Sequence, residues 1–171
     1  MKILFILLFI FLFLATDNVS AKVDVVSSSA SFKTKGNTLD VDNRVSKLSD
    51  FFENYKSPLA PFSDEFIYWA DYYNLDWRLI PAISGVESTF GKNIPKSSFN
   101  AYGWANGNYK FTSWENSIEI VAKTLREKYY NQGANNIDRI AKRYAPPSHT
   151  WAWKVKFFME KIDPTPVEFD L

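Results

Sequence analysis

The chain has 171 residues, 20 of them basic and 19 acidic, with 46% hydrophobic and 18% aromatic content. That is the composition of one folded domain. A net charge of +1 gives no general basic field for nucleic acid. The absence of cysteine excludes a disulfide scaffold, a thiolate metal site and a cysteine nucleophile.

At the N-terminus Lys2 precedes an unbroken apolar run from Ile3 to Ala15, and small residues follow at Val19-Ser20-Ala21. This predicts a secretory signal peptide over 1–21, cleaved after Ala21. The run is shorter than the roughly 20 residues of a membrane-spanning helix, so no stable membrane insertion is expected after cleavage. A retained anchor is the alternative. The mature chain is then secreted or works in the cell envelope. Residues 22–42, rich in Ser, Thr, Val and Lys, read as a flexible linker, and 43–171 as the folded domain, a monomer.

Helical spacing starts at Val45, Leu48, Phe52 and Tyr55, and Pro58 and Pro61 end it. Ser63 is the expected cap of a second helix bearing Phe66, Ile67, Ala70 and Tyr73. Asp76 is the expected cap of a third, with Leu79, Ile83, Val86 and Phe90 on one face and Gly91 beyond its end. From Gly91 to Trp114 the helical period disappears. Asn106-Gly107, set between two aromatic stretches, predicts a small hairpin lobe. Thr112-x-x-Glu115 reads as a capping box ahead of Ile118, Val121, Leu125 and Tyr129, with Gly133 as the stop. Two more helices follow, one with Ile137, Ile140 and Tyr144, the other with Trp151, Val155, Phe158 and Ile162 after a Ser148 cap. The expected fold is mainly α, with a loop or β-hairpin lobe after the third helix.

Glu87 carries the chemistry of this reading. It falls in the last turn of the third helix, beside the apolar stripe. Partial burial and the negative end of the helix dipole both disfavour its ionised form. A glutamic acid that keeps its proton near neutral pH can act as general acid on a glycosidic oxygen. On spacing alone, an ordinary solvated glutamate at a helix end is the commoner case, since most glutamates so placed do nothing chemical.

Four ordered strings sharpen the choice: Val86-Glu87-Ser88-Thr89-Phe90-Gly91-Lys92, Asn100-Ala101-Tyr102-Gly103-Trp104, Phe111 to Ile118, and Arg143-Tyr144-Ala145. Together they resemble the bacterial glucosaminidase family, mannosyl-glycoprotein endo-β-N-acetylglucosaminidase-like enzymes of the lysozyme-like superfamily, over residues 63–163. The resemblance implies a two-lobed helical fold whose cleft binds the β-1,4 glycan of peptidoglycan. It places Glu87 on the catalytic acid and Tyr144 on a tyrosine of the cleft near it, and makes both candidate catalytic residues. The same motifs make Ser88, Asn100, Tyr102, Gly103 and Trp104 candidate substrate-binding residues.

Between Ser88 and Trp114, Phe90, Phe99, Tyr102, Trp104, Tyr109, Phe111 and Trp114 alternate with Asn93, Asn100, Asn106 and Asn108. Sugars need both chemistries: flat apolar faces for C–H surfaces and amides for hydroxyl and acetamido groups. Phe90, Phe111 and Trp114 read as core, Tyr102 and Trp104 as ligand contacts. Lys92, Lys96 and Lys110 lie in this stretch without an acid and could meet the carboxylates of peptide stems.

Glycoside hydrolysis usually uses a second carboxylate, yet after Glu87 the next acid is Glu115, assigned to the capping box; Glu119 reads as solvated. Attack on the anomeric carbon then comes from a substrate acetamido or C6-hydroxyl group, or from water held by a more distant acid. His149 is assigned no catalytic role, and no metal or nucleotide motif appears, so no cofactor is expected. Three readings remain open. The first is a peptidoglycan-cleaving enzyme, hydrolase, muramidase or lytic transglycosylase. The others are a cell-wall binding module without turnover and a helical adaptor using its aromatics for protein contact.

Overall fold

The computed structural model describes residues 42–166. The expected signal segment 1–21, and the linker 22–42 apart from Asp42, lie outside the described residues. Among the described residues there are six α-helices: α1 (Arg44–Asn54), α2 (Ser63–Tyr72), α3 (Leu79–Ser88), α4 (Trp114–Thr124), α5 (Ile137–Tyr144) and α6 (Trp151–Ile162). This is the expected mainly α architecture. Among the described residues no helix is long and apolar enough to cross a membrane.

The centre of the domain is α3, where every residue from Leu79 to Gly85 is buried. A helix apolar all round belongs inside a bundle. It packs chiefly on α6, while α2 packs on α4 and α1, and α5 on α6. Along α6 the buried stripe is Trp151, Val155, Met159 and Ile162, with Phe158 half-buried beside it.

The helix ends differ in detail from the expected caps. Ser63 is the first residue of α2 rather than its cap, and its hydroxyl donates to the Ala60 carbonyl at 2.9 Å. Asp76 precedes α3 by a turn, where it accepts from the Arg78 amide at 2.9 Å and pairs with the Arg78 guanidinium at 2.6 Å. The capping box of α4 is shifted by one residue. Ser113 Oγ accepts from the Asn116 amide at 3.1 Å and Asn116 Oδ1 from the Thr112 amide at 3.3 Å. Glu115 is therefore not the reciprocal partner; it is exposed, and its own amide and Ser113 hold its carboxyl below the usual range. The cap position of α6 is Thr150 rather than Ser148, which stands two residues earlier and accepts from the Trp151 amide at 3.2 Å. The apolar run through Leu125 and Tyr129 leaves α geometry after Thr124, passing through a π-turn (Leu125–Tyr129) before Gly133.

The lobe after α3 contains no strand among the described residues. Asn106-Gly107 lies within a short 3-10 turn, Trp104–Gly107, in which Ala105 and Asn106 are left-handed. The Asn100 amide takes the place of a ladder: its Nδ2 donates to the Trp104 and Tyr109 carbonyls at 2.9 and 3.1 Å, and its Oδ1 accepts from the Trp104 amide at 3.1 Å. A side chain that satisfies the backbone this fully removes the need for strand pairing.

Two devices fix the frame around α3. Arg78 is buried; besides Asp76 it donates to the carbonyls of Asp163, at 2.7 Å, and of Thr165. Lys47 pairs with Asp163 at 2.6 Å and, with Thr165, holds that carboxyl well below the ordinary range. The segment after α6 is thus tied to α1 and to the start of α3. At the other end of α3 the chain reverses through three left-handed residues, Thr89, Phe90 and Gly91. The Phe90 ring returns over Gly85, so that a Cβ there would lie 2.6 Å from the ring Cζ and 3.1 Å from Phe158 Cδ2.

Gly85→Ala should lower folding stability by about 1–3 kcal/mol, the usual cost of overpacking a closed core, because a fully buried ring has nowhere to move. Chemical denaturation checks this; an unchanged midpoint would show that Phe90 can swing aside.

Candidate active site

Glu87 is the penultimate residue of α3, and its side chain is half-buried between α6 and the 100–109 loop. Trp151, the first residue of α6, donates its indole N–H to Glu87 Oε1 at 2.6 Å. The other oxygen, Oε2, faces Gly103, where a Cβ would lie only 2.5 Å away. Gly103 also has φ +71°, so both space and backbone call for glycine there. Burial is the larger influence on the carboxyl and raises its pKa; the Trp151 bond opposes it. Among the described residues no second carboxylate contributes to that shift.

Beside this carboxyl lies a groove of about 400 Å³ lined by Gly103, Trp104, Ala105, Asn106, Tyr109, Thr124, Tyr129 and Tyr144. Its walls carry the two chemistries suited to a saccharide, flat rings and small polar groups. Tyr144 forms the junction. Its hydroxyl donates to the Tyr102 carbonyl at 2.7 Å and accepts from Trp104 Nε1 at 3.2 Å, and its ring stacks on Trp151 with centroids 5.0 Å apart. Burial, with the Glu87 charge second, pushes the Tyr144 phenol well above its ordinary value. It stays neutral, and its proton is already engaged.

Of the residues singled out from the sequence, Glu87, Gly103, Trp104 and Tyr144 come together at this site. Ser88, Asn100 and Tyr102 do not reach the groove surface, being 3%, 2% and 0% exposed. Their polar atoms serve the protein. Ser88 Oγ lies 2.9 Å from the Ala101 carbonyl and accepts from the Gly91 amide at 2.8 Å, tying the end of α3 to the loop. Asn100 shapes the loop as described. The Tyr102 side chain fills the core against Phe111, and only its carbonyl meets Tyr144. A buried polar group must find partners inside, as the Ser88 hydroxyl and the Asn100 amide do, while Tyr102 gives its ring to the core; all three are framework rather than ligand surface. Among the basic residues of the stretch, Lys92 donates to the Tyr55 carbonyl at 2.7 Å, while Lys96 and Lys110 are exposed. His149 is exposed at the start of α6.

Trp151, Tyr129 and Thr124 join the site without having been marked for it. Trp151 and Tyr129 looked like members of apolar stripes. The signal was their polar tips, since an aliphatic residue would have served packing alone. The π-turn carries Tyr129 to the groove, its ring 6.0 Å from that of Tyr144; such turns occur often at functional sites. Among the described residues no group of three or more His, Asp or Glu is gathered as a metal site would require.

No family model matches the sequence, and no curated protein is similar to it at a significant level. The fold, in contrast, is similar to that of S. aureus autolysin E, solved in complex with the muropeptide NAM-L-Ala-D-iGlu. The TM-score is 0.54 at 17% identity, over 74% of this chain and 70% of that one.

The raised carboxyl of Glu87 links folding to pH. A glutamate that holds its proton more tightly when folded contributes most stability below the ordinary glutamate range, and loses it as pH rises through the raised value. Glu87→Gln does not titrate. Its melting temperature relative to wild type should therefore be higher at pH 7.5 than at pH 4; a constant difference would show that the carboxyl is not perturbed.

Proposed function

We propose that this protein is an exported enzyme that cleaves the glycan strands of peptidoglycan, with Glu87 as general acid. One observation carries the reading: a single carboxyl, raised by burial and held by an indole, opens beside an aromatic groove whose nearest wall is a glycine. The likeness in fold to a muropeptide-bound autolysin adds support for the substrate class. A glycan strand lies along the groove, with Trp104 and Tyr109 offering ring faces and Asn106 an amide. Glu87 protonates the glycosidic oxygen as the bond to the anomeric carbon breaks. Tyr144 holds Trp104 and Trp151 in place and does not itself transfer a proton. The reading includes secretion through the 1–21 segment, action as a monomer and no cofactor.

The bond cut in this reading is the one after N-acetylglucosamine, with water as the acceptor, which makes the enzyme an endo-β-N-acetylglucosaminidase. A second outcome is favoured by a specific feature: no other carboxylate influences Glu87 among the described residues. The water or hydroxyl that attacks then lacks an adjacent base. The C6-hydroxyl of muramic acid can attack intramolecularly instead, giving an anhydro product as a lytic transglycosylase does.

Glu87→Gln should slow the clearing of peptidoglycan suspensions by at least about a hundredfold while retaining binding to the insoluble polymer. Clearing at a rate near wild type would remove Glu87 from the mechanism. Mass spectrometry of borohydride-treated digests then separates the two outcomes. New reducing ends on glucosamine gain two hydrogens and fit the hydrolase; anhydro-muramic ends, lighter by one water, fit the transglycosylase. Trp104→Ala should weaken affinity for soluble muropeptides by roughly 1–3 kcal/mol, as when a stacked aromatic is truncated. Calorimetry measures this, and undiminished affinity would place the glycan elsewhere.

A further inference from the structure

We infer that Trp151 is a positioning residue that fixes which oxygen of Glu87 carries the acid proton: its indole occupies Oε1, so the proton resides on Oε2, the oxygen packed against Gly103. The inference rests on the reading of Glu87 as an acid and deepens it.

An indole Nε1 can only donate. In a neutral carboxylic acid the carbonyl oxygen is the stronger acceptor, so a donor held 2.6 Å from Oε1 selects the form with Oε1 unprotonated. The hydroxyl is then Oε2–H. Oε2 lies where a Cβ at residue 103 would intrude to 2.5 Å, and Gly103 has no such atom. Gly103 also lines the groove. The oxygen left to carry the hydrogen is thus the one beside Gly103, a residue of the groove wall.

The donor is itself immobilised. Trp151 is buried and lies face to face with Tyr144, 5.0 Å between centroids at 27°. The Tyr144 hydroxyl is anchored on the Tyr102 carbonyl at 2.7 Å. Ser148 holds the amide of Trp151 at 3.2 Å. Rotation of the indole away from Glu87 would therefore disturb a stacked ring, on a residue whose backbone is also held. When the proton leaves Oε2, the same N–H becomes a charge-assisted bond to the carboxylate, which stabilises the conjugate base and eases the transfer. Trp151 acts on the reaction only through Glu87, since it is buried and does not line the groove.

The test replaces Trp151 with benzothienylalanine, which keeps the bicyclic shape and puts sulfur in place of N–H, alongside Trp151→Phe. Circular dichroism and melting establish that each variant folds. The carbon-13 resonance of the Glu87 carboxyl, identified by its absence in Glu87→Gln, is then titrated. Loss of the donor should move the Glu87 titration to higher pH, carry the alkaline limb of the kcat profile with it, and lower kcat roughly tenfold or more with little change in KM. A titration and pH profile that superimpose on wild type in the folded benzothienylalanine variant would overturn the inference, leaving Trp151 a packing residue. If wild type cleaves no glycan yet the substitution still displaces the titration, the assignment of the proton stands and the glycosidase reading falls.

Discussion

The closure of the Phe90 ring over Gly85 is the contact on which the rest of the site depends. It forces α3 to stop at Ser88 and the chain to double back through Thr89 and Phe90 in left-handed geometry. For residues with side chains that geometry costs roughly 1–2 kcal/mol each. Burying one phenylalanine returns about 1.5–3 kcal/mol, so the ring alone roughly offsets the reversal. The margin comes from its neighbours: Phe90 sits within 4.5–6.0 Å of the rings of Phe51, Phe52, Tyr55 and Phe158. Backbone strain kept in place by surrounding packing is common at functional sites. Here it leaves Glu87 one residue from the helix end, where the dipole and the apolar surroundings both favour the protonated form.

The opposite wall of the site is built from polar side chains that face inward. Ser88 joins the helix end to the Ala101 carbonyl, and Asn100 closes the loop on itself through three bonds to Trp104 and Tyr109. Tyr144 then clamps Tyr102 and Trp104 from α5. This network holds Gly103 against the carboxyl without a strand. Polar groups satisfied in this way shape the groove and leave its surface largely to rings and backbone, so the residues that hold the loop in shape and those that line the groove are largely different sets.

Much of the frame was legible in the sequence. Apolar spacing of three and four residues located all six helices, because a buried helix face demands that period whatever its neighbours are. Gly133 and Ser148 marked boundaries for local reasons of backbone geometry and hydrogen bonding. The placement of Glu87 in the last turn of α3 followed from the same period. Caps were less secure: Asp76 and Thr112 had the right chemistry one or more residues from the true helix start. Asp76 was drawn instead to the buried Arg78, while Ser113 and Asn116 took the place of Thr112 and Glu115.

What tertiary structure decided was which side of each residue faces what. Tyr102 and Trp104 are two positions apart and chemically alike, yet one fills the core and the other lines the groove. A loop without a repeating period gives no rule for direction. The pairing of Trp151 with Glu87 spans 64 positions, and only the packing of α6 on α3 brings them together. The sequence by itself determined the helices and the chemical character of the acid, both set by neighbours one turn away. The structure alone decided the groove, the indole donor and the close approach of Gly103 to the carboxyl, because those depend on contacts between segments whose separation along the chain leaves no local trace.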